Sequence, residues 1–235
     1  MLQGYMSDYR IIMQDMIEPV VKVIDEPKLE NPIFVEGLPG FGNVGEIAAK
    51  LLIDFSDAKL FAELYSPSFF DYAIVDKNGL CRLPRYEFYA SENEKSHFII
   101  LTGDMQPPPD DLPAHYEVCD LIMEYVLKFN CKLVVSLGGM PVPQAEDSVY
   151  VASTSKKLLN VLKEVGGIVY RRGRIVGATG LLPALAKVRG LNGVCLLGAT
   201  TRPSGDGEAG FRVFKFLLRL INALYEGRNT NSQSY

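Results

Sequence analysis

Gly40, Gly42 and Gly45 stand in the order G-x-G-x-x-G, between the apolar run Ile33-Phe34-Val35 and an Ala/Leu-rich segment. In a strand–turn–helix context such glycines let the backbone approach a pyrophosphate, and the helix N-terminus supplies N–H groups and the positive end of its dipole. A dinucleotide site also needs an acid about 20 residues on, for the ribose, and Glu63 stands near that spacing. Two features oppose this chemistry. Pro39 precedes the first motif glycine, and the stretch Tyr72 to Ala90 carries Asn78-Gly79, a hairpin turn where a crossover helix is wanted. The favoured reading is a tight turn that packs a helix on a sheet.

Other chemistries find less support. There is no G-x-x-x-x-G-K-[ST] and no G-x-S-x-G; Ser136 falls inside an apolar strand pattern. The two histidines, His97 and His115, lack any partner at metal-ligand spacing, and no C-x-x-C pair occurs among Cys81, Cys119, Cys131 and Cys195. Glu36, Asp104, Glu146 and Asp147 are expected near one edge, where two converging acids would hold a metal or act as an acid–base pair. Nothing in the spacing fixes their separation, so turn and loop roles are favoured. The expectation is that the chain has no cofactor and no metal, and the reading leans away from an enzyme.

The elements that would position these residues follow from pattern. Val20 to Ile24, Ile33 to Val35, Leu60 to Tyr65, His97 to Thr102, Lys132 to Leu137 and Gly193 to Leu197 read as strands, several of them continuously apolar and so buried on both faces. Helices are expected from about 43 to 55, 112 to 129, 155 to 165 and 181 to 188, and after Asp206, a good N-cap. Residues 66–91 read as an antiparallel insertion. Ile168 to Tyr170 and Ile175 to Ala178 flank Arg171-Arg172-Gly173-Arg174 as a second candidate hairpin.

The fold class expected is α/β: a mostly parallel, doubly wound sheet with helices on both faces and a β-hairpin insertion. The domain reading is an N-terminal arm over 1–19, a single α/β domain over 20–226 and a disordered tail over 227–235. The core strands end in Gly37, Gly103-Asp104, Gly138-Gly139 and Gly198, and the carboxyl edge of an open α/β sheet is where crevices form.

Across its 235 residues the chain is 48% hydrophobic and 22% charged with net charge −4 and no basic run, which disfavours nucleic acid as the main partner. No apolar stretch reaches the ~18 residues of a membrane helix, and no secretory signal pattern opens the chain. A soluble, cytoplasmic protein with reduced thiols is expected.

The block Glu36-Gly37-Leu38-Pro39-Gly40-Phe41-Gly42-Asn43-Val44-Gly45 resembles the glycine-rich opening of the proteasome assembly chaperone family, second-chaperone type, in its archaeal branch. Gly103-Asp104-Met105-Gln106-Pro107, Leu137-Gly138-Gly139, Gly177 to Leu182 and Cys195 to Thr200 are similar in order and spacing. The resemblance spans about residues 20 to 225. It implies a nucleoside-phosphorylase-like α/β fold, self-association and, in the eukaryotic relatives, binding to proteasome α subunits during ring assembly. The chain departs from the family's hydrophobic-Tyr-x tail, because Tyr235 is last, and it has Ala199 where the family commonly carries an acid.

The reading is therefore a non-enzymatic, homo-oligomeric chaperone-like protein that binds α subunits or related assembly partners. Its ligand or interface edge would comprise Gly37, Gly40, Gly42, Asn43, Gly45, Asp104, Gly138, Gly139 and Thr200. Phe69-Phe70 and Pro107-Pro108-Pro109 are candidate contact residues. The alternative is a binder or enzyme for a nucleoside, nucleotide or phosphate that uses the same N–H-rich turns.

Overall fold

The structure, a computed structural model, describes residues 18–93 and 96–231, with no side chains described at 93, 96 and 227–231. Most of the expected N-terminal arm and the last residues of the expected tail therefore lie outside the described residues. The strands are β1 (Val20–Val23), β2 (Ile33–Glu36), β3 (Lys59–Tyr65), β4 (Ile74–Val75), β5 (Cys81–Arg82), β6 (Tyr86–Asn93), β7 (Ser96–Gly103), β8 (Leu133–Pro141), β9 (Val149–Ser153), β10 (Ile168–Val169) and β11 (Asn192–Thr200). The helices are α1 (Val44–Ser56), α2 (Leu112–Leu127), α3 (Lys156–Glu164), α4 (Ala178–Val188) and α5 (Gly207–Asn231).

Nine of the described strands form one sheet in the order β1-β3-β6-β7-β2-β8-β11-β9-β10. Its middle, β7-β2-β8-β11, is parallel. The flank β1-β3-β6 is antiparallel, as is the join of β6 to β7 and of β9 to β11. The sheet is thus mixed, and the expected parallel character belongs to its centre. The cause is legible in burial: all of β2 and the first five residues of β8 are buried, as strands covered by helices on both faces must be. One face packs α1, α3 and α5 through side chains such as Ala48, Leu162 and Leu217. The other packs α2 and α4 through Ile122, Val126 and Leu182.

Each helix is delimited by local chemistry. Asp111 accepts from Ala114 N at 3.2 Å and Pro113 occupies the first turn of α2. Ser155 caps α3, and Asp206 Oδ1 accepts from Ala209 N at 3.1 Å to open α5. Asp57, at φ 49°, ends α1. The helix α5 runs to Asn231, beyond residue 226 where the sequence suggests that a tail begins.

Three local expectations are corrected. The hairpin expected over Tyr72 to Ala90 is split after its turn: only Cys81–Arg82 pairs with β4, and Tyr86–Asn93 joins the main sheet between β3 and β7. Pro84 lies at the break, where a missing N–H ends pairing. The second hairpin does not form; β10 pairs in parallel with β9, and Gly177 at φ +70° turns the chain into α4 instead. The strand β9 itself is an element the sequence pattern leaves in a loop.

Candidate functional site

The turn between β2 and α1 is a close-packed junction. Gly37 N donates to Leu101 O, Gly42 N to Pro203 O and Asn43 N to Gly40 O, each at 2.9 Å. Leu38 N donates to Glu36 Oε1, also at 2.9 Å. Four of the N–H groups of the turn are thus satisfied by the protein itself. Gly42 (φ +70°) lies under Thr200 and Arg202, and Asn43 (φ +51°) takes the left-handed conformation that Asn tolerates. A Cβ on Gly45 would run into Leu137 O, and one on Gly139 into Phe41 O, both well inside 3.0 Å. A Cβ on Gly37 would strike Gly45 O in the same way. Gly138 lies against Thr179 and Leu197.

Gly37, Gly42, Asn43, Gly45, Gly138, Gly139 and Thr200 therefore meet at one knot on the carboxyl edge. Gly40 stands apart, with only Gln106 Nε2 near the position of a Cβ, at 3.9 Å. Asp104 is also elsewhere. Arg82 Nη1 and Nη2 donate to its two oxygens at 2.6 and 2.8 Å, and Arg85 N donates to Oδ2 at 2.9 Å. These contacts hold its carboxyl below the usual range against the opposing effect of burial. Asp104 anchors the β4–β5 hairpin to the end of β7.

Gln106 is a bridging position that sequence reasoning misses. Its Nε2 donates to Pro39 O at 2.8 Å, and its Oε1 accepts from Ala178 N at 3.0 Å. One side chain so ties the glycine turn to the start of α4. Its partners lie 67 and 72 positions away, and no local pattern reports such a bridge.

Beneath the turn lies a buried acid. Glu36 is 0% exposed, on the face of β2 that also presents Phe34. Burial raises its pKa from 4.5 to about 7, against the stabilising N–H of Leu38 and the nearby Ser136 hydroxyl. Ser136 stands beside it on β8. Neither Ser136 Oγ nor Glu36 Oε2 has a hydrogen-bond partner. Cys119 and Cys195 are pushed up to about 12 by burial, with Glu36 adding to the effect. They are inert thiols, not nucleophiles.

The remaining acids do not converge with it. Glu63 pairs with Arg85 at 2.5 Å and accepts from Tyr65, on the antiparallel flank rather than beside the glycines. Asp147 meets Arg212 at 2.8 Å. Asp206 Oδ2 accepts from Thr200 Oγ1 at 2.5 Å. Among the described residues no three His, Cys, Asp or Glu side chains are placed to hold a metal ion. His97 Nδ1 accepts from Glu30 N, and His115 Nε2 meets Pro108 O, both structural roles. A groove of about 830 Å³ runs along α5, lined by Phe211, Lys215 and Arg219 among others. No helix among the described residues is long and apolar enough to cross a membrane.

Comparison with known proteins places this architecture. The chain is similar to Pyrococcus furiosus PbaB, described as an archaeal proteasome activator: 34% identity, 92% of this chain and 96% of that one covered, TM-score 0.81. It is similar to PbaA of the same organism, described as an archaeal homolog of proteasome-assembly chaperone, with 29% identity, 91% and 94% coverage and a TM-score of 0.72. An uncharacterised protein of Methanocaldococcus jannaschii is 34% identical over 205 residues, 86% of this chain and 78% of that protein. The narrower likeness to nucleoside phosphorylases rests on the sequence resemblance alone. Residues 34–225 match the PAC2 family, from the second residue of β2 into α5, and the chain belongs to that family.

Proposed function

We propose that this protein is a non-catalytic, oligomeric partner of the proteasome that binds α subunits or related assembly partners. The observation that carries the reading is the likeness to a proteasome activator at 34% identity and TM-score 0.81 over 92% of the chain. The geometry of the carboxyl edge agrees with it. A turn with four of its N–H groups bonded internally and most of its glycines closely packed offers fewer free donors to a phosphate, which agrees with recognition of another protein. The reading needs no cofactor and places the protein in the cytoplasm, as a homo-oligomer.

The test is retention of purified archaeal proteasome α subunits, and of assembled α rings, on the immobilised protein at micromolar concentration. Retention above that of an unrelated α/β protein is the expected result. No retention by a sample whose circular dichroism shows an intact fold overturns the reading. Light scattering of the free protein checks self-association, and a monomer mass removes that part.

A further inference from the structure

The helix α5 is covered on one side only. Val213, Leu217 and Leu220 are buried in the core, whereas Glu208, Phe211, Lys215 and Asn222 stand exposed along the opposite line, with Leu218 half-buried among them. Phe211 is 47% exposed, and Phe55, at the end of α1, is 65% exposed. Both rings lean on Phe214. Phe55 meets it edge-on at 5.7 Å, and Phe211 stacks on it at 6.3 Å with planes 28° apart. The three rings make an aromatic ridge across the seam of α1 and α5, and its two outer members are open to solvent. The groove of about 830 Å³ described above runs beside it. Contiguous exposed aromatics of this kind mark interaction surfaces, and aromatic residues are enriched in the buried centres of interfaces.

The charges along the ridge say what kind of partner it fits. Arg212 is engaged within the chain, by Asp147 and by Ala199 O. Glu208, Lys215 and Arg219 make no ion pair among the described residues. Lys215 Nζ lies over the Phe211 ring at 4.6 Å, and the Arg219 guanidinium over the Phe216 ring at 5.2 Å. The exposed line of α5 thus carries a free acid in its first turn and two free bases further on. An acidic segment laid along it would meet Glu208, and a basic one would meet Lys215 and Arg219. A second α5 in parallel would set each charge against its own kind. An antiparallel copy has none of these conflicts. Phe211 and Lys215 stand two residues to either side of Val213, while Glu208 stands five before it and Arg219 six after it. A twofold axis level with Val213 therefore sets Phe211 of each copy level with Lys215 of the other, and Glu208 within one residue of the level of Arg219.

We propose that the exposed line of α5 and the Phe55–Phe211 ridge form a twofold interface between two copies of this chain, with their α5 helices antiparallel across it. The inference rests on the self-association proposed above and names the surface that carries it. The aromatic rings supply the area removed from water, and the Glu208–Arg219 contacts, made twice, fix the orientation. A twofold contact uses the same patch on both copies, so it closes chains in pairs.

Charge reversal in the full chain tests this, read by sedimentation equilibrium at micromolar concentration. Glu208→Lys sets a base against Arg219 of the second copy, and Arg219→Glu sets an acid against Glu208. Each variant alone should associate about tenfold or more weakly than the unaltered chain. Mixed in equal amounts, the two variants should associate again nearly as tightly as the unaltered chain, because each of the two contacts then joins opposite charges. Both positions are exposed, and circular dichroism melts that match the unaltered chain show that lost association is not lost folding. A chain with Phe55→Ser and Phe211→Ser, in which no charge changes, should also run at a lower mass. Single variants that associate as the unaltered chain does, a mixture that does not recover, or an unchanged mass for the double serine variant each overturn this inference alone. So does an unaltered assembly with an odd number of chains. An unaltered chain of monomer mass overturns it together with the self-association on which it rests.

Discussion

Glu36→Gln should stabilise this protein, and by an amount that depends on pH. The Glu36 carboxyl ionises near 4.5 in the unfolded chain and near 7 in the folded one, because burial in the β2–β8 layer disfavours its charge. Below pH 4.5 it is neutral in both states and contributes no penalty. Between 4.5 and 7 the unfolded chain gives up its proton while the folded chain keeps it, so rising pH favours unfolding. Above 7 the penalty is complete. At 1.36 kcal/mol per pKa unit it comes to roughly 3 kcal/mol, a large share of the ~5–15 kcal/mol that holds a domain together. Glutamine keeps the shape and the oxygen that accepts from Leu38 N. Urea unfolding of both proteins at pH 5, 6, 7 and 8 measures the effect. The advantage of Glu36→Gln should be small at pH 5 and grow by about 2–3 kcal/mol by pH 8. Asp104 and Asp206, whose pKa values are lowered, add stability that is present above their unfolded pKa and lost at more acid pH. Both proteins share them, so they cancel in the difference. Two parallel stability curves across this range would refute the assignment of a neutral, buried Glu36.

Gly139→Ala should destabilise by about 3 kcal/mol or more, since its methyl meets the Phe41 carbonyl, while Gly40→Ala stays within about 0.5 kcal/mol; thermal melts of the pair separate packing from turn flexibility. Asp206→Ala removes the cap of α5 and the acceptor of Thr200 Oγ1, and a loss of about 1–2 kcal/mol in chemical unfolding is expected. Arg82→Ala frees the hairpin at a cost near 1 kcal/mol, because the pair is partly screened by solvent. Chymotrypsin should then cut near Tyr72 or Leu80 several-fold faster while the rest of the fold resists.

The central strands were legible because continuous apolar runs such as Leu133 to Leu137 have few other homes, and the cap at Asp206 because its bond is local. The glycine turn was legible as a packing turn, from Pro39 and the hairpin signal at Asn78-Gly79, but not in its partners. Its sequence matches a phosphate cradle, and only the positions of Pro203 and Leu137, far along the chain, reveal that its groups are occupied. Glu36 was placed at an open edge because a charged residue ending an apolar strand usually faces water; its alternation with Phe34 was the one signal that it points inward. The strand β9 was missed because Val149–Ser153 is short and follows a polar loop, and it gains its identity from pairing with β11. Gln106 was invisible for the same reason: both its bonds are long-range.

The position of β2 has a consequence for the order in which this protein comes into being. Its first core strand to leave the ribosome is the middle of the finished sheet, and its two neighbours lie around residues 98–101 and 133–136. Ile33 to Val35 therefore has no permanent partner until much of the chain has been made. The turn that follows is sealed later still, by Pro203 over Gly42 and by Gly210 against Ile47. At a synthesis rate of about 5–20 residues per second, the Gly37–Gly45 turn waits on the order of ten seconds for its lid. Nascent chains stalled before residue 200 should carry that turn without its Pro203 cover, with the side of α1 that faces α5 bare, as the form most in need of protection from aggregation.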